Sequence, residues 1–251
     1  MKELARLLDI GENEVISVIG SGGKTTFILE MARAFKEEEK ILIGPTTKMQ
    51  ANIMEEADIC FLDEQRLKKY KIEKNGINFS GNYNASRKKL SSLPLEEWKS
   101  IIKSSLYDKV LLEADGSKTL LLKGWAAYEP VILNETTITI GIIPITAYGM
   151  SANDETVFRF EKFKKIANVV EDKIIDEQIL AKVIEHPKGL LGTAQGRKIV
   201  FINKCDWEED FENAKKVVRA IDRDILKGID KIVAGSLKNK KWMLLHDAYS
   251  K

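Results

Sequence analysis

A glycine-rich turn between a strand-like run and a helical pattern constrains the fold of this chain more than any other feature. Residues 15–19 are β-branched apart from one serine, and residues 24–35 carry apolar side chains at helical spacing. A strand that turns directly into a helix is typical of parallel sheets, because the helix carries the chain back to the start of the next strand. The junction therefore predicts an α/β fold.

The same alternation of apolar runs and amphipathic stretches continues to the C-terminus, and no repeat or linker divides it. We expect one domain over residues 1–251, with a mostly parallel sheet flanked by helices in three layers. The predicted strands are 15–19, 41–43, 59–62, 110–114, 137–143, 198–202, 229–234 and 242–245. The predicted helices lie within 1–13 and over 24–35, 95–106, 155–167, 176–185 and 211–226.

One segment departs from this alternation. Asn75-Gly76 favours a tight turn, and apolar residues flank it at Ile72 and at 77–79. The pattern predicts a β-hairpin insertion over about residues 70–84.

Composition excludes several classes of protein. A net charge of +2, from 40 Lys+Arg and 38 Asp+Glu, lacks the basic excess of a nucleic-acid-binding protein. No apolar run is long enough to span a bilayer. Two cysteines are too few for a disulfide framework, and two histidines argue against a histidine-built metal site. We expect a cytoplasmic protein that binds neither nucleic acid nor membranes.

The glycine-rich turn also has the residues of a phosphate-binding loop. Glycines let backbone N–H groups approach phosphate oxygens, and the N-terminus of the following helix attracts negative charge. Lys24 is expected to reach the β- and γ-phosphates of a nucleoside triphosphate, and the Thr25 hydroxyl to bind Mg²⁺. The loop consists of Gly20, Ser21, Gly22, Gly23, Lys24, Thr25 and Thr26.

This loop is shorter than the common form of the motif. The long form has a glycine five residues before Gly23, where this chain has Val18. The remaining Gly-x-x-Gly-Lys-Thr pattern resembles the loop of muramyl-ligase-type ATP-binding domains, and we expect a P-loop NTPase-like fold around it.

Two carboxylates follow another buried strand. Glu113 and Asp115 lie two residues apart after the apolar run 110–112, at the end of the strand where parallel sheets bind ligands. Either side chain suits Mg²⁺ while the other polarises a water molecule, and we favour Asp115 for the metal. Both are candidate catalytic residues together with Lys24.

The hydroxyls after the second strand are a further candidate. Thr46 and Thr47, followed by Lys48, could contact Mg²⁺ or the γ-phosphate, as the switch loops of nucleotide-binding proteins do.

A third set of polar residues suggests which base is bound. Asn203, Lys204 and Asp206 follow a buried strand in the order Asn-Lys-x-Asp, which resembles the guanine-recognition element of GTPases. An aspartate there accepts hydrogen bonds from guanine N1–H and the exocyclic amine, a pattern that adenine lacks. Ser236, after the next strand, resembles the companion loop near the base. GTP is therefore slightly favoured over ATP.

Taken together, these blocks resemble the YqeC family, which is described as accessory factors for selenium-dependent molybdenum hydroxylases. The resemblance implies maturation of such an enzyme or its cofactor, with a molybdenum-cofactor or selenium-transfer component as partner. Two positions depart from the family pattern, Pro45 in place of threonine and Tyr128 in place of histidine. The matching blocks are 18–26, 46–49, 113–116, Lys123, 129–132 and 203–206.

The loop beyond the carboxylate strand is where a second substrate would bind in such a fold. We hypothesise that Lys123 and Glu129 bind an acceptor or partner near the γ-phosphate.

The residues are compatible with three functions: an NTPase that hydrolyses ATP or GTP, a kinase or ligase for a small acceptor, and a nucleotide-dependent switch without turnover. P-loop proteins of this type often form homodimers, although the sequence contains no clear interface.

Overall fold

The computed structural model describes residues 1–62, 74–87 and 89–250, which contain seven helices and fourteen strands. The helices are α1 (Lys2–Leu7), α2 (Lys24–Phe35), α3 (Leu95–Lys103), α4 (Phe160–Ala167), α5 (Glu177–Glu185), α6 (Glu208–Ala220) and α7 (Arg223–Leu226). The strands are β1 (Glu14–Gly20), β2 (Lys40–Pro45), β3 (Lys48–Gln50), β4 (Ile59–Phe61), β5 (Gly76–Ser80), β6 (Asn82–Asn84), β7 (Lys89–Ser91), β8 (Lys109–Glu113), β9 (Leu122–Lys123), β10 (Ile138–Pro144), β11 (Val157–Phe158), β12 (Arg197–Asn203), β13 (Lys231–Ser236) and β14 (Lys241–Asp247).

A nine-stranded sheet forms the centre of the described structure, in the order β14-β13-β12-β10-β1-β8-β2-β5-β4. All neighbours pair parallel except β14, which pairs antiparallel with β13 at one edge. β1 lies between β10 and β8, with Gly20 opposite Ile142 and Val18 opposite Glu113. This register brings the ends of β1 and β8 to the same edge of the sheet.

Helices cover both faces of this sheet, which makes three layers. Ile16 and Val18 pack with α1 and α2, while Ile19 belongs to a cluster with α4, α5 and α6. Val15 packs with α3. Because alternate residues of one strand enter cores on opposite faces, both faces are buried, as continuous β-branched runs predict. The expected α/β class with a mostly parallel, helix-flanked sheet is confirmed.

The predicted hairpin is wrong where the structure describes it. Gly76–Ser80 is not a hairpin arm, because it pairs parallel with β2 on one side and β4 on the other. Residues 63–73, including Ile72, lie outside the described residues. The antiparallel insertion comes later, where β6 and β7 pair and β3 joins them in a small three-stranded sheet.

Two predicted helical segments do not form one continuous helix. The segment 155–167 first forms β11, and the helix begins only at Phe160, after Arg159 adopts a left-handed conformation at φ +57°. The segment 211–226 divides at Ile221 and Asp222, and the Asp222 side chain accepts N–H bonds that start α7. None of the described helices combines the length and apolar character needed to cross a membrane.

Candidate functional site

The candidate residues meet at the carboxyl-terminal ends of β1, β2, β8, β12 and β13, where parallel sheets bind ligands. The chain from β1 to α2 lies at the centre of this edge. Its neighbours are Glu113 at the end of β8 and Asn203 at the end of β12.

Glycine is required in the loop between β1 and α2. Gly20, Gly22 and Gly23 have φ values of +93°, +75° and +133°, which other residues rarely adopt. A Cβ atom on Gly20 would lie 2.2 Å from the Ile142 carbonyl oxygen, and one on Gly22 would lie 2.5 Å from Pro144 Cβ. The backbone therefore makes a tight turn against β10 that only glycine allows, immediately before a helix N-terminus.

Lys24 lies across this turn. Its Nζ donates to the Gly20 carbonyl oxygen at 2.7 Å and lies 3.4 Å from Asp115 Oδ1. The side chain is 5% exposed, so the ammonium is held over the loop rather than in solvent. An ammonium in this position can contribute positive charge to an anion bound by the loop.

Asp115 is fully buried and has four polar neighbours. Gly20 N–H donates to its two oxygens at 3.1 and 3.0 Å, Trp125 Nε1 donates at 2.8 Å, and Lys123 Nζ donates at 3.0 Å. With Lys24 as a second nearby cation, its oxygens are occupied by internal donors. These contacts fix the position of the loop, and they leave fewer oxygen lone pairs of Asp115 for the predicted metal role.

Glu113 is the carboxylate that faces the start of α2. The Thr25 hydroxyl donates to Glu113 Oε2 at 2.6 Å, so Thr25 is joined to Glu113 rather than to Asp115, the carboxylate favoured for the metal. Burial raises the pKa of the Glu113 carboxyl, and nearby Lys24 partly offsets that effect. Among the described residues, no three His, Cys, Asp or Glu side chains form a metal cluster. Mg²⁺ needs none, because it is usually held by one or two protein oxygens and by substrate phosphates.

The raised pKa of Glu113 leads to a stability prediction. A folded-state pKa above the unfolded value means that folding favours the neutral carboxyl, so stability is lost as pH rises through that window. Glu113→Gln removes this loss. We expect the melting temperature of Glu113→Gln to exceed that of the unsubstituted protein at pH 8 and to match it at pH 4. Thermal unfolding at both pH values measures the difference. Equal shifts at both values, or the same pH profile in the exposed control Glu171→Gln, would contradict the assignment.

A buried chain of charges extends from Asp115 to the surface. Lys123, whose side chain is 0% exposed, also donates to the Gly116 carbonyl oxygen at 2.6 Å and to Glu129 at 3.2 Å. Glu129 in turn accepts bonds from both terminal nitrogens of Arg159. These internal bonds of Lys123 and Glu129 support a role in positioning Asp115, and their contact with an acceptor or partner stays a prediction. Tyr128, in contrast, is 71% exposed beside Arg159.

The remaining predicted residues of this edge lie around the same loop. The Ser21 hydroxyl donates to the Leu121 carbonyl oxygen and the Thr46 hydroxyl to that of Val131, both at 2.6 Å. Thr46 N–H donates to the Glu113 carbonyl oxygen at 3.0 Å, which ties the end of β2 to that of β8.

Three predicted residues make fewer contacts. Thr47 Oγ1 is buried and has no hydrogen-bond partner among the described residues. Thr26 is exposed in the first turn of α2, and Lys48 is exposed on β3.

The predicted base-recognition residues are joined to the phosphate loop. Asn203 Nδ2 donates to the Gly22 carbonyl oxygen at 2.8 Å, and Asn203 Oδ1 accepts from Leu237 N–H at 3.4 Å. The Ser236 hydroxyl donates to Asp206 Oδ1 at 2.5 Å. Lys204 adopts a left-handed conformation at φ +64° between them. The two sequence blocks thus form one polar site next to the loop, with Asp206 half-buried.

Sequence reasoning missed the hydrogen bond from Trp125 to Asp115. Nothing in the local sequence of Trp125 shows that its indole N–H faces a carboxylate ten residues earlier. The sequence signal that could reveal this contact is conservation of the residues around Asp115 among relatives, and a single sequence does not contain that information.

Comparisons with known proteins identify a family to which this chain is similar. The family model described as YqeC protein matches residues 16–161, which include the phosphate loop, Glu113, Asp115, Lys123 and Glu129. The base-site residues lie beyond that match. The uncharacterized protein YqeC of Escherichia coli (strain K12) is 25% identical over 206 residues, which cover 80% of each chain. No solved structure matches the chain. The chain belongs to the YqeC family.

Proposed function

We propose that this protein binds a nucleoside triphosphate with Mg²⁺ and hydrolyses it, on a P-loop NTPase-like scaffold. The observation that carries the proposal is the arrangement at the start of α2, where three left-handed glycines precede Lys24 and the Thr25 hydroxyl lies 2.6 Å from Glu113. This combination supplies N–H donors, a cation and two oxygen ligands at one point. Triphosphate with a divalent ion is the ligand whose charges such a site complements.

Different residues of the site bind the phosphates and the metal ion. The loop N–H groups and the N-terminus of α2 contact the phosphates, and Lys24 exchanges its bond to the Gly20 carbonyl for phosphate oxygens. Thr25 and Glu113 hold Mg²⁺, which neutralises phosphate charge when bound. Asp115 keeps the loop in place through Gly20 N–H, so the metal role moves from Asp115 to Glu113.

The position of the Asp206 carboxylate supports guanine as the preferred base. Asp206 is held by Ser236 and follows Asn203, which is bonded to the loop. A carboxylate in this place accepts two N–H bonds from guanine, and ATP is the alternative substrate.

Asp206→Ala is expected to lower the affinity for GTP by at least about 100-fold, because it removes two hydrogen bonds to a charged group and each contributes about 1.5–3 kcal/mol. ATP affinity is expected to stay the same, which makes ATP the internal control. Isothermal titration with each Mg-nucleotide measures both values. An equal loss for the two nucleotides, or no loss for GTP, would show that Asp206 does not read the base.

Coupling of hydrolysis to maturation of a selenium-dependent molybdenum enzyme, or of its cofactor, is proposed from the resemblance to the YqeC family. Complementation of a strain that lacks the protein tests it. We expect the unsubstituted chain, and not Lys24→Ala, to restore activity of the client enzyme.

Phosphate release from the purified protein tests hydrolysis itself. We expect Mg-dependent release that Lys24→Ala reduces by at least about 100-fold, since the ammonium stabilises charge on the transferred phosphoryl group. Equal release from both proteins would rule out catalysis at this site.

A further inference from the structure

An exposed tryptophan adjoins the proposed base site. Trp207 is 77% exposed, and among the described residues its ring stacks on no other aromatic ring and belongs to no core cluster. The other three tryptophans differ, because Trp98 and Trp125 are buried and Trp242 packs against Phe201. Trp207 therefore leaves a large, flat aromatic surface open to solvent and available to a ligand.

Hydrogen bonds hold the backbone of Trp207 beside Asp206. The N–H groups of both residues donate to Asp210 Oδ2, each at 2.9 Å, which fixes the turn into α6. The Asp206 carbonyl oxygen accepts from Asn239 Nδ2 at 3.3 Å, and Asn239 N–H donates to the Ser236 hydroxyl at 2.9 Å. The backbone of Trp207 is thus anchored at the proposed base site, whereas its ring stays exposed.

The Asp206 carboxylate keeps one oxygen for a ligand. Its Oδ1 accepts from the Ser236 hydroxyl at 2.5 Å, and its Oδ2 accepts no hydrogen bond from the residues that the structure describes. Asn203 joins the same site to the phosphate loop, because it donates to the Gly22 carbonyl oxygen at 2.8 Å. A base whose edge contacts Asp206 therefore lies beside the residue that carries the exposed indole.

We propose that Trp207 stacks on the face of the purine base of the nucleotide, while Asp206 contacts the edge of that base. This role of Trp207 depends on the proposed nucleotide site. Aromatic side chains stack on any base, because every base has a π-face, so the indole adds affinity without distinguishing guanine from adenine. The two neighbouring residues therefore have separable effects: loss of the carboxylate changes GTP binding alone, and loss of the indole weakens GTP and ATP binding together.

Inorganic tripolyphosphate separates the contribution of the base from that of the phosphates. By isothermal titration of the full-length protein, Trp207→Ala is expected to weaken the binding of Mg-GTP and Mg-ATP by at least about fivefold each, the loss typical of one stacked aromatic ring. Its affinity for Mg-tripolyphosphate, which has no base, is expected to stay the same. Trp207→Phe keeps an aromatic ring and should bind both nucleotides more tightly than Trp207→Ala.

Tyr249→Ala is the matched control for removal of an exposed ring. Tyr249 is 70% exposed, and its hydroxyl donates to Asp230, which precedes β13 at the end of that strand opposite Ser236. We expect Tyr249→Ala to bind both nucleotides and tripolyphosphate as the unsubstituted protein does. Equal weakening of nucleotide binding in Tyr249→Ala and Trp207→Ala would overturn the proposal.

Tryptophan fluorescence gives an independent readout of stacking. Trp207 is the most exposed of the four tryptophans, so acrylamide quenches its fluorescence most strongly. Saturating Mg-GTP is expected to reduce acrylamide quenching of the unsubstituted protein, and Trp207→Phe is expected to bind Mg-GTP without this change.

Three outcomes would overturn the stacking role while leaving the nucleotide site in place. They are nucleotide affinity that Trp207→Ala does not change, an equal loss of affinity for tripolyphosphate, and acrylamide quenching that bound Mg-GTP does not alter. Absence of binding by GTP, ATP and tripolyphosphate alike would instead overturn the proposed function and, with it, the role of Trp207.

Discussion

Lys123→Met is expected to lower the free energy of unfolding by about 3–5 kcal/mol, the loss typical of a buried ion pair that is deprived of one partner. Lys123 lies fully buried between Asp115 and Glu129, at 3.0 and 3.2 Å. Methionine keeps the length of the side chain but leaves two carboxylates with less compensation. Urea unfolding followed by circular dichroism measures the loss.

Two comparison variants sharpen this test. Lys227→Met removes an ion pair with Asp224 in which both side chains are more than three-quarters exposed, and it should cost less than about 1 kcal/mol. The double variant Lys123→Met with Asp115→Asn should be more stable than Lys123→Met alone, because it removes one of the buried charges left behind. A loss for Lys123→Met no larger than that for Lys227→Met would show that the buried network does not stabilise the fold.

Gly22→Ala is the second substitution for which we expect a large effect, on stability and on nucleotide binding together. Alanine at φ +75° costs about 1–2 kcal/mol because of its left-handed backbone. The new Cβ would also lie 2.5 Å from Pro144 Cβ, and such overpacking adds about 1–3 kcal/mol. Relief of the clash requires the loop to move, so we expect nucleotide affinity to fall by at least about tenfold.

Gly149 provides a matched control for the free-energy cost of placing alanine in a left-handed backbone conformation. Its φ is +82°, and a Cβ there would meet nothing within 4 Å. Gly149→Ala should therefore show only the backbone cost and unchanged nucleotide affinity. If both alanine variants were equally stable and bound nucleotide equally, the tight turn against β10 would not be needed for binding.

Local sequence patterns predicted the elements that carry the site. The strand that ends at Gly20, the helix after it and the strand that ends at Glu113 are all present. They could be predicted because the spacing of their apolar residues shows which faces are buried. The order of strands across the sheet did not follow from those patterns. It depends on pairings such as Gly20 with Ile142, which are far apart in sequence.

The hairpin prediction failed because strand pairing depends on long-range contacts. Asn75-Gly76 has the composition of a hairpin turn, yet tertiary pairing places β5 between two parallel strands. The surroundings of Asp115 could not be predicted either, because its donors Trp125 and Lys123 come from a loop whose path the sequence does not show. Residue types predicted which polar side chains lie at this edge of the sheet, whereas their hydrogen-bond partners follow only from packing.

The most direct test of the central claim is equilibrium binding of ATP and GTP with Mg²⁺ to the purified protein and to Lys24→Ala. We predict that at least one nucleotide binds the unsubstituted protein and that Lys24→Ala weakens this binding by about 10–100-fold, the loss expected when a charged hydrogen-bond donor is removed. If neither nucleotide binds at millimolar concentration, or if Lys24→Ala binds as tightly as the unsubstituted protein, the loop after β1 is not a triphosphate site.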